Sequence, residues 1–357
     1  MKTNLESQLQ FELPMSELMD GPSVLSLSRF AADALALDGD AADDRSEPVA
    51  SPAKGTQDAA TDTSLITMEQ RGELPPLFCF HPIGGDLRCY VPLVRELGGK
   101  RPIHAPRAVG MNKGETPVVD LAGMTRQYCE AIRRLQPAGP YQLTGWSTGG
   151  IFAYEAARHL REDGCDVKLV FIDTPTATVF SKVDLQDDAR FLYDLVNFSN
   201  WFSGANIHVD YGQLRAMETT EAIDHILHEA RDQGVLAAGT TRADLQRRID
   251  VCRAHVQALL HYRPSSYGQR VLLVRPDQTG VLSMATGQQF SDDLGWQAIL
   301  GDDLELIRVP GDHFSMLTDP YAGRLAEAVH DYLERSPRSP QPQGADQTNQ
   351  RARRIPR

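Results

Sequence analysis

Ser147 lies in the segment GWSTGG (145–150), a pattern suited to nucleophilic catalysis. The segment follows the apolar run YQLT and precedes a helical run that begins IFAYEAARHL. At a sharp strand-to-helix turn a serine needs small neighbours, because the backbone passes too close there for Cβ atoms. The start of the helix also directs backbone N–H groups toward an oxyanion that forms beside the serine. The spacing therefore predicts that Ser147 is a nucleophile, with a plain glycine-rich turn as the alternative interpretation.

A serine hydroxyl needs a base within hydrogen-bond reach, and ten histidines compete for that role. His313, in VPGDHFSML, follows the apolar run LELIRV and precedes the last helical run, so it should leave the same edge of a sheet as Ser147. His81 precedes a glycine turn, and we expect it to shape that loop. The other histidines lie on predicted helices or lack a chemical context. We therefore predict that His313 is the base, although an ordinary loop histidine would fit the same position.

The acid that orients the base should also follow a strand, and two aspartates meet this condition. Asp173 lies in LVFIDTPT and Asp277 lies in LLVRPDQTG. Position alone leaves both open. Asp312 is adjacent to His313, and we expect it to stabilise the turn instead.

An oxyanion hole requires two converging N–H donors. We expect one to be the amide of Thr148, directly after the nucleophile. The segment FCFHPIGGD (78–86) has the form of the second donor loop, with an apolar strand followed by a proline turn and paired glycines. We favour the amide of Ile83, and a plain turn is the alternative.

The elements that must position these residues are visible as short apolar runs alternating with helical periodicity. These runs occupy residues 77–80, 141–144, 168–173, 270–276 and 304–309. They predict an α/β fold with a mostly parallel sheet covered by helices on both faces. Between about 180 and 262 apolar residues recur only at helical spacing, which predicts a helical lid insertion. The chain order Ser, Asp, His is that of the α/β-hydrolase fold.

Three segments flank a predicted domain at 73–335. Residues 39–72 are rich in Ala, Ser, Thr, Asp and Pro, which is typical of a flexible linker. Residues 336–357 predict a disordered tail on similar grounds. Residues 1–38 predict short amphipathic helices that bury little apolar surface alone.

Composition excludes several classes of function. The net charge of -12 argues against a nucleic-acid partner, since phosphate binding needs a basic surface. The five cysteines are scattered without CxxC spacing, which argues against a disulfide framework and a zinc site. No apolar run approaches the roughly 18 residues of a membrane span, and the N-terminus lacks the pattern of a signal peptide. We therefore expect a cytoplasmic protein with no membrane partner.

Several motifs together resemble one family. FHPIGG, GWSTGG, IDTP and PGDHFSML are similar to segments of the type I thioesterase domains that terminate nonribosomal peptide synthetases and polyketide synthases. The segments EAIDHILHEARDQGVL and LQRRIDVCRAHVQALLHYRP resemble the helical lid of those domains. In that family the acid occupies the position of Asp173, so the resemblance favours Asp173 over Asp277.

The stretch LESQLQFELPMSELMDGPSVLSLSRFAADAL resembles the second half of an acyl or peptidyl carrier protein domain. The serine that carries phosphopantetheine in carrier domains has no counterpart here. The resemblance therefore implies a carrier remnant over residues 1–38 that cannot itself be loaded.

The resemblance implies a thioesterase that releases a polyketide or peptide from a carrier protein in secondary metabolism. The chain would pass from a phosphopantetheine thioester to Ser147 and leave by hydrolysis or macrocyclisation, with no metal or redox cofactor. A free-standing editing thioesterase, a general esterase and a non-catalytic hydrolase-fold binding module are the alternatives. The identity of the acyl chain and the choice of release route depend on cavity shape and not on a motif.

Overall fold

The computed structural model describes residues 64–181, 183–203, 205–280 and 288–335. The predicted carrier remnant at 1–38 and the predicted tail at 336–357 lie outside these residues, as does most of the predicted linker.

A seven-stranded sheet forms the centre of the described chain. Its strands are β1 (Leu65–Glu69), β2 (Leu77–Phe80), β3 (Ile103–Pro106), β4 (Tyr141–Trp146), β5 (Val167–Ile172), β6 (Val271–Pro276) and β7 (Leu304–Val309). The spatial order is β1-β3-β2-β4-β5-β6-β7, with β1 antiparallel to β3 and every other pair parallel. Strands β2, β4 and β6 are buried along their whole length, as expected where helices cover both faces.

Nine α-helices accompany the sheet in the described residues. They are α1 (Val91–Leu97), α2 (Leu121–Leu135), α3 (Gly149–Glu162), α4 (Asp188–Ser203), α5 (Tyr211–Arg215), α6 (Thr219–Asp232), α7 (Arg242–Leu260), α8 (Gln297–Leu300) and α9 (Ala322–Glu334). Helices α2 and α3 pack on one face of the sheet, and α1 and α9 pack on the other.

Strand β5 shows how one apolar run supplies both layers of the core. Leu169 and Phe171 belong to the cluster beneath α2 and α3, whereas Val170 and Ile172 belong to the cluster beneath α1 and α9. Successive side chains of a strand point to opposite faces, so a continuous apolar run is what a strand covered on both sides requires. The architecture is that of an α/β-hydrolase, in agreement with the prediction.

Helices α4 to α7 fall between β5 and β6, where the sequence predicts the insertion. Their apolar faces form a third cluster that includes Leu192, Ile223, Ile226 and Val256. The insertion therefore has a core of its own.

The prediction of a flexible linker over residues 39–72 is wrong at the C-terminal end of that range. Residues Leu65–Glu69 form β1 at the edge of the sheet, and the amide of Arg107 donates to the carbonyl of Ser64 at 2.9 Å. Strand β3 was likewise absent from the predicted runs. Both strands are short, and each is defined by pairing with a distant segment, which local composition does not reveal.

Candidate active site

Ser147 sits at a strained turn between β4 and α3. Its φ of 55° falls in the left-handed region, which a residue with a Cβ rarely adopts. The turn is held by a hydrogen bond from the Ser147 amide to the carbonyl of Ile172 at 2.9 Å. Such strain persists only where the surrounding structure imposes it, and it is concentrated at functional sites.

The glycines around Ser147 are required by close backbone contacts. A Cβ on Gly145 would lie 2.1 Å from the carbonyl carbon of Gly149. A Cβ on Gly149 would lie 2.3 Å from the carbonyl oxygen of Phe80. The sequence pattern thus reflects a turn in which β4 and α3 meet and press against the end of β2.

His313 and Asp173 form a buried pair, each 2% exposed. Nδ1 of His313 lies 2.7 Å from Oδ2 of Asp173. A carboxylate accepts the hydrogen of Nδ1, which leaves the lone pair on Nε2 able to take a proton. Nε2 is buried and has no hydrogen-bond partner among the described residues.

The structure brings Asp173, and not Asp277, against the histidine. Asp173 follows β5 with φ of 42°, and its amide donates to the carbonyl of Val274 at 2.8 Å. Asp277 is exposed. Asp312 accepts hydrogen bonds from the amides of Phe314 and Ser315 at 2.9 and 2.8 Å, so it stabilises the turn as predicted.

Tyr90 joins the serine turn to the end of β2. Its hydroxyl accepts a hydrogen bond from the Trp146 amide at 2.7 Å and donates one to the carbonyl of Phe80 at 2.6 Å. Burial raises the pKa of Tyr90 well above its ordinary value, which keeps the hydroxyl protonated and able to donate. The serine turn and the loop after β2 are therefore held at a fixed spacing.

The two candidate oxyanion donors lie in loops that abut. Ile83 begins a short 3-10 turn after β2, and Thr148 precedes the first residue of α3. A Cβ on Gly149 would lie 2.9 Å from the carbonyl oxygen of His81, which shows how closely the two loops approach. In the described part of the chain, neither the Ile83 amide nor the Thr148 amide donates a hydrogen bond. Both N–H groups are thus available to a ligand.

Two buried histidines, His81 and His255, stabilise the loop after β2. Nδ1 of His255, on α7, accepts the Gly84 amide at 3.2 Å, and the ring stacks on His81 with centroids 5.0 Å apart. Nε2 of His81 lies 2.8 Å from the hydroxyl of Tyr128. Burial lowers the pKa of His81 to about 4 and that of His255 well below its ordinary value. His81 thus shapes the loop as predicted, while the sequence did not indicate the contact of His255.

A second residue missed by sequence reasoning is Arg275 on β6, which is 3% exposed. Its Nε lies 3.1 Å from Oδ1 of Asp173. Neither atom makes an aligned hydrogen bond, so the contact is an ion pair. A basic residue inside the apolar run RVLLVRP was the one available signal, because such a charge is buried only when paired.

Among the described residues, none of the helices combines the length and apolarity needed to cross a membrane.

Comparison with known proteins places this site in a family. The profile of the thioesterase domain family matches residues 75–333. The nonribosomal peptide synthetase btyA of Aspergillus terreus is 26% identical over 322 residues, which cover 89% of this chain and 32% of that protein. A dimodular nonribosomal peptide synthase of Bacillus subtilis is 38% identical over 116 residues, or 32% of this chain and 5% of that protein. The chain thus spans a third or less of these two relatives.

Two solved structures have folds similar to that of this chain. A four-domain nonribosomal peptide synthetase in its holo form, bound to AMP and glycine, superposes with a TM-score of 0.70 and 25% identity over 92% of this chain and 23% of that one. The thioesterase domain of NocB, in covalent complex with a fluorophosphonate analogue of nocardicin G, gives a TM-score of 0.50 and 21% identity over 76% of this chain and all of that one. The sheet order, the serine turn and the family match lead to one conclusion: this chain belongs to the thioesterase domain family.

Proposed function

We propose that this protein releases a peptide or polyketide from a carrier domain by way of an acyl ester on Ser147. The observation that carries the proposal is the buried contact of 2.7 Å between His313 and Asp173, with Nε2 of the histidine left unpaired in the described chain. A base with a free nitrogen and an orienting carboxylate is what a serine nucleophile needs.

In the first step, Nε2 of His313 takes the hydroxyl proton as Oγ of Ser147 attacks the thioester carbonyl. Asp173 holds the other ring nitrogen and stabilises the imidazolium. The amides of Ile83 and Thr148 donate to the tetrahedral oxyanion. The C–S bond then breaks, the phosphopantetheine thiol leaves with the proton from His313, and an ester of Ser147 remains.

In the second step, a nucleophile attacks the ester carbonyl while His313 again takes its proton. The ester bond to Oγ of Ser147 then breaks, and this oxygen takes the proton back from His313. Water gives a free acid, whereas a hydroxyl or amine of the same chain gives a macrocycle. Neither step uses a metal or redox cofactor, since the substrate arrives already activated as a thioester.

The carrier as partner is supported by the relatives. The alignment with btyA extends over 322 residues, whereas the family profile covers only 75–333, so the likeness reaches beyond the thioesterase domain. This fits the interpretation of residues 1–38 as part of a carrier domain. The substrate would arrive as a thioester on the phosphopantetheine arm of a carrier domain.

Within this proposal, helices α4 to α7 act as the lid over the site. Phe198 of α4 packs edge-on against Phe314, the neighbour of His313, with ring centroids 6.1 Å apart. Cys252 of α7 faces the loop after β2 so closely that a Cβ on Gly84 would lie 2.8 Å from its Sγ. Segments of this kind limit the access of water and shape the substrate cavity.

The test is covalent labelling followed by peptide mass spectrometry. A fluorophosphonate should modify Ser147 in the wild-type chain and leave the Ser147→Ala variant unlabelled. A thioester mimic should acylate Ser147 and be turned over, and the released product should be identified as acid or macrocycle. An adduct on one of the cysteines, or no adduct in a folded chain, would contradict the proposal and favour a binding module.

A further inference from the structure

Asp173 is shared between two partners. Oδ2 contacts Nδ1 of His313 at 2.7 Å, and Oδ1 contacts Nε of Arg275 at 3.1 Å. All three side chains are 4% exposed or less. A serine triad needs only the first contact, so the second calls for its own explanation.

The sheet itself brings Arg275 to this position. Strands β5 and β6 are parallel, with Ile172 opposite Val274, and the amide of Asp173 bonds to the carbonyl of Val274. Arg275 is the next residue of β6, and it therefore lies at the level where Asp173 leaves the end of β5. The pairing is fixed by the register of the two strands and does not depend on a flexible loop.

Arg275 has few other partners that could compensate the positive charge of its guanidinium group. Its Nε and Nη1 have no aligned hydrogen-bond partner in the described residues. A buried guanidinium without an anion is unfavourable, and Asp173 is the carboxylate in ionic contact with it. Burial lowers the pKa of Arg275, and the carboxylate of Asp173 opposes this by favouring the charged form.

The ion pair has a consequence for the proton chemistry of the site. A cation beside Asp173 favours the ionised carboxylate, and it also disfavours a second cation on the imidazole nearby. Both electrostatic effects favour a negatively charged Asp173 that faces a neutral His313.

The other charged groups around the pair are more exposed or already engaged. Arg308 on β7 lies near Arg275, but its side chain is 35% exposed and pairs with Asp292 at 2.8 Å. Asp293 precedes α8 and accepts the amide of Gln297. Asp312 accepts two backbone amides in the turn that carries His313. Arg275 is thus the buried cation in direct contact with the acid.

We propose that Arg275 is a positioning residue that binds the second carboxylate oxygen of Asp173 and weakens the hold of the Asp173–His313 pair on its proton. This keeps His313 unprotonated, and so able to act as base, at a lower pH than the pair alone would allow. The inference rests on the proposed triad, because it assigns a role through Asp173 and not through contact with substrate.

The experiment compares the pH dependence of kcat/KM for a soluble thioester mimic in the wild type and in Arg275→Gln, Arg275→Lys and Arg308→Gln. At low pH, kcat/KM falls as the site binds a proton, and we call this part of the pH profile the acid limb. Loss of the buried charge in Arg275→Gln should shift the acid limb to higher pH by about 1 pH unit. Arg275→Lys should keep the limb near the wild-type position, as should the matched control Arg308→Gln. Arg275→Met, which has a similar length and no charge, serves if the glutamine variant does not fold.

An acid limb that stays in place in the charge-free variants, with only the plateau or the melting temperature lowered, would overturn the inference and leave Arg275 as a purely structural ion pair. Failure of the proposed function looks different. In that case the wild-type chain itself would not be labelled at Ser147 by a fluorophosphonate.

Discussion

Trp146 donates its indole N–H to the backbone carbonyl of His313 at 2.9 Å. The residue before the candidate nucleophile thus holds the loop that carries the candidate base, although the two positions are 167 residues apart. The indole ring also packs on the imidazole with centroids 5.0 Å apart. One side chain therefore links the serine turn to the histidine loop.

Replacement of Trp146 by Phe should keep the ring contact and remove this hydrogen bond. The buried carbonyl of His313 would lose its donor, which costs about 1–3 kcal/mol of unfolding free energy. The looser histidine loop should also lower kcat while KM changes less. Urea denaturation and steady-state kinetics on a thioester mimic measure the two effects.

Tyr332→Phe is the matched control, because it removes a hydroxyl that donates to the carbonyl of Arg270 at 2.9 Å, in the cluster beneath α1 and α9. It should lower stability and leave kcat unchanged. An unchanged kcat in Trp146→Phe as well would show that the indole does not position His313.

The acid of the proposed triad is tested by comparing Asp173→Asn with Asp277→Asn. An amide at 173 keeps the shape of the carboxylate but neither stabilises the imidazolium nor fixes the tautomer, so kcat should fall by up to about 10⁴-fold. Asp277 is exposed, and its replacement should change stability by no more than about 0.5 kcal/mol and leave turnover intact. Turnover of both variants, with circular dichroism to verify folding, decides between them. If Asp277→Asn lost most of its turnover while Asp173→Asn stayed active, the acid would be Asp277, in the loop after β6.

The buried His81 should make the fold sensitive to acid. Its pKa is about 4 in the folded protein against an ordinary value of 6.5, because burial disfavours the charged ring. The unfolded chain therefore binds a proton at a higher pH than the folded one, and stability falls as pH decreases from 6.5 toward 4. The shift corresponds to roughly 3 kcal/mol.

The variant His81→Gln removes this titration, so its unfolding free energy should depend less on pH over the same range. Urea denaturation at pH 7, 5.5 and 4.5 measures the difference. His228→Gln is the control for the replacement of a histidine by glutamine at the surface, since the His228 side chain is 69% exposed. An equal loss of stability in acid for His81→Gln and the wild type would mean that folding does not lower the pKa of His81.

The edge strand β1 predicts different outcomes for two truncations. A chain that starts at Ser64 keeps β1 and every candidate catalytic residue, so it should hydrolyse a small soluble thioester at the wild-type rate. A chain that starts at 71 loses the pairing of β1 with β3 and the hydrogen bond between Thr67 Oγ1 and His104 Nδ1 at 3.1 Å. It should lose at least about 1 kcal/mol of stability and expose the edge of β3 to aggregation.

Thermal unfolding and light scattering of the two truncated chains measure this difference. Equal melting temperatures and equal aggregation would show that β1 adds nothing to the fold. Inactivity of the longer chain despite correct folding would show that residues 1–63 contribute to catalysis.

The sequence by itself identified what consecutive residues define. GWSTGG between a strand run and a helix run determines a serine turn, since the close backbone contacts at Gly145 and Gly149 exclude other residues. The order of short apolar runs determines a parallel sheet, and the position of His313 after the last run brings it to the same edge as Ser147. These features follow from local periodicity and from strand direction, which a linear pattern records.

Only the tertiary structure decided which distant residues touch. Position in the sequence alone left the choice between Asp173 and Asp277 open. In the fold it is Asp173, 140 positions away, that lies 2.7 Å from Nδ1 of His313. The ion pair of Arg275 depends on the register of β5 and β6, and the bond from Gly84 to His255 depends on how the insertion packs. Such contacts arise from the packing of whole elements, and no local pattern of residues specifies them.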